Sequence, residues 1–294
     1  MSWLETYRGT VYRWEVDSVD HFTVAFYFAR LDDARDALLH AVGLDAEALA
    51  GSGGVCSTVE CYVRYLRELR VGDILHIRTG VVAVEDEGLR LVHEVIDSGD
   101  GTTCTIVEER VALVDRKSRT PERLSAAQRS AASARRVEPP KAADKRSAPT
   151  RPTDDERFID SARDAIKPAE VNLLGEATLS AYIHRFTAAN GHVLAAFGLT
   201  PEYCRREHRG FSTFEFDLRV PGVLRAGDLL LVRSALLHVG SSSVRILHRL
   251  TNARTGALAA TLEQAGVNLD LDARRPSPLP PPLRERALAM LSPA

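Results

Sequence analysis

Two aspartates and a histidine, Asp17, Asp20 and His21, fall within five positions of the stretch "WEVDSVDHFTVAFYFARL" (residues 14–31), directly ahead of an apolar run with helical spacing. Carboxylates and an imidazole at such a place suit two different jobs. One is structural, since aspartate is a favoured helix cap that accepts bonds from the first free backbone N–H groups. The other is chemical: a carboxylate as nucleophile or as general base on water, a histidine orienting backbone or substrate, and helix N-terminal N–H groups polarising a carbonyl. The residue types alone leave both open for Asp17.

The pattern returns later in the chain, with Asn172, Gly175 and Glu176 standing where Asp17, Asp20 and His21 stand first. "HAVGLDAEAL" at 40 and "AAFGLTPEYC" at 195 set the offset, 198 − 43 = 155 for Gly43 and Gly198. The same register pairs Arg8 with Arg163, Thr23 with Thr178, Tyr27 with Tyr182, Arg30 with Arg185, Glu60 with Glu215, His93 with His248 and Glu108 with Glu263. Chance does not hold one register over so long a stretch, so the chain is a tandem duplication. Its expected layout is a first domain over 1–120, a linker over 121–155 and a second domain over 156–294.

The elements that must position these residues follow from periodicity. Each copy opens with a short extended segment and continues into a helix with apolar residues every three or four positions. The stripe is Val24, Tyr27, Leu31, Ala34, Leu38 and Val42 in the first copy, and Leu179, Tyr182, Phe186, Ala189, Val193 and Phe197 in the second. Gly43 and Gly198 follow the last turn and suit a left-handed helix end. The period then falls to two in "STVECYVRYL", "DILHIRTGVVAV", "GLRLVHEVID" and "TTCTIVEERVALV", which read as successive strands of an antiparallel meander. One long helix followed by a meander is an α+β pattern. Between the copies, residues 116–152 carry eleven Lys/Arg against three Asp/Glu among Pro, Ser and Ala, the composition of a mobile tether with a helical part around 121–136.

Composition narrows the function. With 294 residues, a net charge of −2, 45% apolar and 27% charged residues, the chain has the balance of a globular protein without a polyanion partner, so no nucleic acid is expected. No run reaches the length of a membrane span and the first residues lack a signal-peptide core, so the expectation is cytoplasmic, without a membrane. Cys56, Cys61, Cys104 and Cys204 are scattered without zinc or disulfide spacing, so no metal is expected. "GFSTF" lacks the second glycine of a serine-hydrolase elbow, and "GSGG" precedes a strand rather than a helix, unlike a dinucleotide loop.

With its helix start D-x-x-x-H and its V/A-G-D turn, the chain resembles the hotdog fold. "YRGTVYRWEVDSVDHFTVAFYFARLDDA" and "FGLTPEYCRREHRG" are similar to the thioesterase family that includes 4-hydroxybenzoyl-CoA thioesterases, and within it to the thioesterase domain of bifunctional L-carnitine dehydrogenases. The resemblance covers both copies and implies a double hotdog, with a cleft between the two units for an acyl-pantetheine. It implies hydrolysis of an acyl-CoA or acyl-carrier-protein thioester, no cofactor beyond the coenzyme A or phosphopantetheine of the substrate, and a homo-oligomer such as a dimer of double hotdogs.

By the same resemblance Asp17 matches the catalytic aspartate, His21 the histidine and Thr23 an asparagine position. Asp20 replaces the family's glycine, whereas Gly175 retains it. Asn172 and Glu176 replace the aspartate and histidine in the second copy. Phe22, Thr23, Tyr27, Gly175, Thr178, Glu60 and Glu215 complete the expected substrate-facing set, with Tyr27 and Tyr182 also readable as core and Glu60 and Glu215 as a surface pair. One working site around Asp17 is the leading expectation. The alternatives are a hotdog dehydratase or cyclase on a carrier-bound acyl or polyketide chain, for which Asp20 supplies a second carboxylate, and a non-catalytic acyl-binding module.

Overall fold

The computed structural model describes residues 3–140 and 157–291. The chain divides into two compact units, Met1–Lys145 and Arg146–Ala294. Unit 1 runs β1 (Leu4–Thr10), a 3-10 turn (Arg13–Glu15), α1 (Val24–Ala41), α2 (Ala46–Leu49), β2 (Gly54–Tyr65), β3 (Ile74–Val84), β4 (Gly88–Asp97), β5 (Thr103–Asp115) and α3 (Ala126–Ser133). Unit 2 repeats the order as β6 (Ile159–Ala165), a 3-10 turn (Pro168–Glu170), α4 (Leu179–Ala196), α5 (Pro201–Glu207), β7 (Arg209–Arg219), β8 (Leu229–Val239), β9 (Ser243–Asn252), β10 (Leu258–Asp270), the two-residue β11 (Arg275–Pro276) and α6 (Pro281–Ala289). Each unit is a hotdog: one long helix packed on an antiparallel sheet.

The sheet is not the plain meander that the strand succession suggests. In unit 1 the order is β1-β3-β4-β5-β2, and in unit 2 it is β6-β8-β9-β10-β7. Strand β2 therefore pairs with β5 rather than with β3. The reason lies in residues 66–73, too long for a tight hairpin, which carry the chain from one side of the sheet to the other. On the way Leu69 is buried, and its carbonyl accepts a 2.7 Å bond from the Phe22 N–H just ahead of α1.

Both long helices bury the expected stripe. Tyr27, Leu31, Ala34, Leu38 and the following Val42 are inaccessible in unit 1, as are Leu179, Tyr182, Phe186, Ala189, Val193 and Phe197 in unit 2; Val24 is half-buried. Removing any one of the large side chains to alanine would cost about 2–5 kcal/mol. Both helices end in the same motif. Gly43, at φ 70°, donates to the His40 carbonyl while Leu44 donates to Leu39; Gly198, at φ 102°, donates to Ala195 while Leu199 donates to Leu194.

The segment expected to open the linker is folded onto unit 1. Ser125 and Gln128 cap α3 reciprocally, and Gln128 Nε2 donates 3.2 Å to the Gly43 carbonyl at the end of α1. Leu124 and Ala132 enter the core beside Leu38, Val42 and Val81, and the Val81 N–H and carbonyl bond to Arg135 and Val137. The same offset places Leu279 and Ala287 where Leu124 and Ala132 stand, and both are buried against Val193, Phe197 and Leu236 around α6. The duplication thus includes a closing helix in each copy, and in unit 2 this helix follows Pro276, Pro278 and Pro280 and packs into the core. The remainder of the expected linker, 141–155, lies outside the described residues. No helix among the described residues is long and apolar enough to cross a membrane.

Candidate active site

The residues singled out ahead of each long helix form one tight loop per unit. Val16 bridges Phe22 and Val171 bridges Ala177, so residues 16–22 and 171–177 close on themselves. Inside the first loop the Asp17 N–H donates to the His21 carbonyl at 2.9 Å, and Asp17 Oδ1 accepts from the N–H groups of Val19 at 2.9 Å and His21 at 3.1 Å. Inside the second, Asn172 Oδ1 accepts from Leu174 at 2.9 Å and Glu176 at 3.1 Å. The bonding is the same whether the side chain is an acid or an amide. Asp17 is therefore the cap of a loop and not of the helix: α1 begins at Val24, with Thr23 at its N-cap, so His21 and Phe22 also precede the helix.

An ion pair anchors each loop to its helix. Glu15, 3% exposed, accepts from Arg30 on α1 and, at 3.0 Å, from the Tyr12 N–H. Glu170 accepts from Arg185 on α4 through both oxygens, at 2.5 and 2.7 Å. The Arg185 hydrogen bonds hold the Glu170 carboxyl below the usual carboxylate range. The N–H groups of Thr23 and Thr178 then donate to the Glu15 and Glu170 carbonyls at 2.8 and 3.0 Å, which sets where each helix begins.

The two loops differ in what they present. Asp17 is exposed, and its second oxygen makes no hydrogen bond to the described residues. His21 Nε2 lies 2.5 Å from Glu68 Oε2 in the β2–β3 connection, and Glu68 also accepts from Arg70. In unit 2 the His21 place holds Glu176, buried, with Arg225 at 3.9 Å. Asp20 is exposed, 3.6 Å from Arg13, and takes the left-handed backbone, φ 63°, that Gly175 takes at φ 75°. The Thr178 hydroxyl accepts from Ala181 N–H at 3.3 Å, whereas Thr23 leaves the first turn of α1 without a side-chain cap.

Behind the first loop sits an aromatic cluster. The Phe22 ring centroid is 4.5 Å from Tyr27 and 6.4 Å from Phe26, and Tyr27 meets Tyr65 at 5.3 Å. Burial raises the Tyr27 hydroxyl pKa above its ordinary value, so this tyrosine is core and stays neutral. At the matching positions unit 2 has Ala177, Ala181, Tyr182 and Val220; the Tyr182 hydroxyl there donates to the Gly222 carbonyl at 3.3 Å and accepts from Leu224 at 3.2 Å.

Glu60 and Glu215 stand apart from the loops. Glu60, half-buried on β2, has Arg90 at 3.9 Å, while Glu215 is buried on β7 with Arg245 at 2.8 Å. They are the same acid–arginine pair in two settings, half-buried for Glu60 and buried for Glu215, so Glu215 is not the surface residue that one reading made it. Glu68 was missed altogether, because nothing local marks a loop acid that meets a histidine 47 positions earlier.

Comparison with known proteins agrees with this architecture. The chain matches the Thioesterase-like superfamily over residues 11–146 and 166–287, one segment in each unit. It is 38% identical over 102 residues to the L-carnitine dehydrogenase/betainyl-CoA thioesterase of Agrobacterium fabrum, covering 35% of this chain and 21% of that protein. It is 30% identical over 111 residues to the betainyl-CoA thioesterase of Pseudomonas aeruginosa, covering 38% of this chain and 70% of that one. The chain thus spans about a fifth of the length of the first of these relatives. Among solved structures, the 12:0-ACP thioesterase of Umbellularia californica superposes with a TM-score of 0.69 at 12% identity, over 89% of this chain and 93% of that one. An acyl-ACP thioesterase of Bacteroides thetaiotaomicron does so with a TM-score of 0.67 at 14% identity, over 88% and 96%. At such identities the likeness is one of fold. The two matched segments, together covering well over half of the sequence, establish that the chain belongs to the Thioesterase-like superfamily.

Proposed function

We propose that this protein hydrolyses the thioester of an acyl-CoA or acyl-carrier protein at the loop of residues 16–23, with the Asp17 carboxylate as base or nucleophile. The observation that carries the reading is the state of that carboxylate: one oxygen is fixed by two backbone N–H groups and the other is left open. Fixing one oxygen orients the second without a reorganisation cost at the moment of reaction. In the general-base form, Asp17 takes a proton as a water oxygen bonds to the thioester carbon. The carbon–sulfur bond then breaks, and the thiolate recovers the proton. Free N–H groups at the start of α1 suit the oxygen that becomes negative.

Unit 2 serves as scaffold in this reading. Asn172 keeps the two loop bonds but cannot ionise, and Glu176 faces Arg225. The relatives named for betainyl-CoA make short, cationic acyl groups the first substrates to try. The test is release of free thiol from a panel of acyl-CoA thioesters, betainyl-CoA included, and from acyl-carrier proteins. Loss of water with the thioester intact would select a dehydratase instead, and tight binding without turnover an acyl-binding module.

A further inference from the structure

The connection between β2 and β3, residues 66–73, is tied to the Asp17 loop in two ways. Its backbone holds the loop through the Phe22 N–H, which donates to the Leu69 carbonyl at 2.7 Å. Its side chains hold the loop through Glu68. One carboxylate oxygen, Oε2, lies 2.5 Å from His21 Nε2, and the other, Oε1, accepts from Arg70 Nε at 2.9 Å. A neutral His21 ring with its proton on Nε2 donates to Glu68, and a protonated ring does the same with charge assistance, so the contact holds in either state.

His21 is the residue that closes the loop on Asp17. Its carbonyl accepts from the Asp17 N–H at 2.9 Å, and its own N–H donates to Asp17 Oδ1 at 3.1 Å. The His21 side chain, 13% exposed, therefore stands in a short path: Glu68 fixes the ring, the ring fixes the residue, and the residue fixes the carboxylate. Glu68 itself keeps 31% of its side chain exposed, a setting in which an ion pair adds little to stability. Its contact with His21 suits orientation better than it suits holding the fold.

Unit 2 separates what the fold needs from what it does not. The backbone tie is repeated, with the Ala177 N–H donating to the Leu224 carbonyl at 2.8 Å. So is the arginine: Arg70 and Arg225 each donate a backbone N–H at 2.8 Å to an aspartate three residues on, Asp73 and Asp228. What changes is where the arginine's carboxylate partner comes from. At the offset of 155, Val223 stands for Glu68 and Glu176 for His21, and it is Glu176 that faces Arg225, at 3.9 Å. In unit 1 the connection supplies the carboxylate, which leaves the loop position to an imidazole. Asp17, His21 and Glu68 thus occur together in one copy and are exchanged together in the other, for Asn172, Glu176 and Val223. The second copy builds the same loop without them, so the fold alone does not require the set.

We propose that Glu68 is a positioning residue for the reaction at Asp17: it acts through the His21 ring and sets the loop that aims the open carboxylate oxygen. This rests on the hydrolysis proposed above. A misplacement of about 1 Å in a reacting group costs up to about 100-fold in rate, whereas binding made elsewhere on the substrate is spared.

Glu68→Val, which installs the unit 2 residue, is the test in the full chain. On a thioester that the unmodified protein cleaves, kcat should fall about 10-fold to 100-fold with KM within about 3-fold, and Glu68→Gln, which keeps an oxygen acceptor, should restore most of the rate. Because Glu68 acts through His21, adding Glu68→Val to His21→Ala should slow turnover no further than His21→Ala does. A second readout does not depend on turnover. Amide hydrogen exchange at Asp17 and His21, followed by NMR, should quicken at least about 5-fold in Glu68→Val, while Leu174 and Glu176 of unit 2 keep their rates. A full rate, unchanged exchange at both residues, or a loss that adds in full to that of His21→Ala each overturns the proposal. Should the unmodified protein release no thiol, the hydrolysis reading fails by itself, and the exchange rates decide whether Glu68 sets the loop.

Discussion

Asp20 and Gly175 occupy the same place in the two copies and share the left-handed backbone, at φ 63° and 75°. The turn that reverses the chain before each long helix demands this conformation, which glycine reaches freely and aspartate only at some cost. Because the Asp20 side chain is exposed and its ion pair is with the exposed Arg13 at 3.6 Å, that pair offsets little of the cost. Asp20→Gly should therefore keep or raise stability, within about 1 kcal/mol, whereas Asp20→Val should lose about 1–2 kcal/mol, since β-branched residues avoid this region. Urea midpoints of the two variants check the ordering.

The anchoring ion pairs should not cost the same to break. Glu15 keeps only 4% of its side chain exposed, but Glu170 keeps 26%. Arg30→Ala strands a buried carboxylate and should destabilise by about 3–5 kcal/mol, while Arg185→Ala leaves an acid that water can reach and should cost roughly half as much. Equal losses in chemical denaturation would contradict the difference in burial.

Acidity should act through Asp32, which burial pushes up to about 6 despite the neighbouring Arg35. A carboxyl raised in the folded state favours folding when protonated. Its contribution is fully present below the ordinary aspartate value near 4 and is lost as pH rises through about 6. Comparing denaturation midpoints of the unmodified protein and Asp32→Asn across this window isolates the effect: the variant should lack that component of the decline.

How much of this was legible in the sequence follows from what is local. The fixed offset between copies, the helix stripes and the glycines at helix ends all depend on spacing, and each took its expected place. A helix around 121–136 was expected and lies at Ala126–Ser133, but its packing into the core of unit 1 was not, because a segment of alanine, serine and charge has a composition shared with tethers; only the Ser125/Gln128 capping pair and the match of Leu124 to Leu279 betray it. The left-handed Asp20 was hidden by its residue type. The β2-to-β5 pairing, and with it the approach of Glu68 to His21, depends on a crossing that no local pattern encodes.

The central claim is that the Asp17 carboxylate does chemistry as well as holding its loop, and Asn172 supplies the control. Asp17→Asn keeps both backbone bonds, as unit 2 shows, so its midpoint should stay within about 1 kcal/mol of the unmodified protein. On a thioester that the unmodified protein cleaves, thiol release by the variant should fall on the order of 100-fold to 10,000-fold. A folded Asp17→Asn variant that releases thiol at the full rate would contradict the claim.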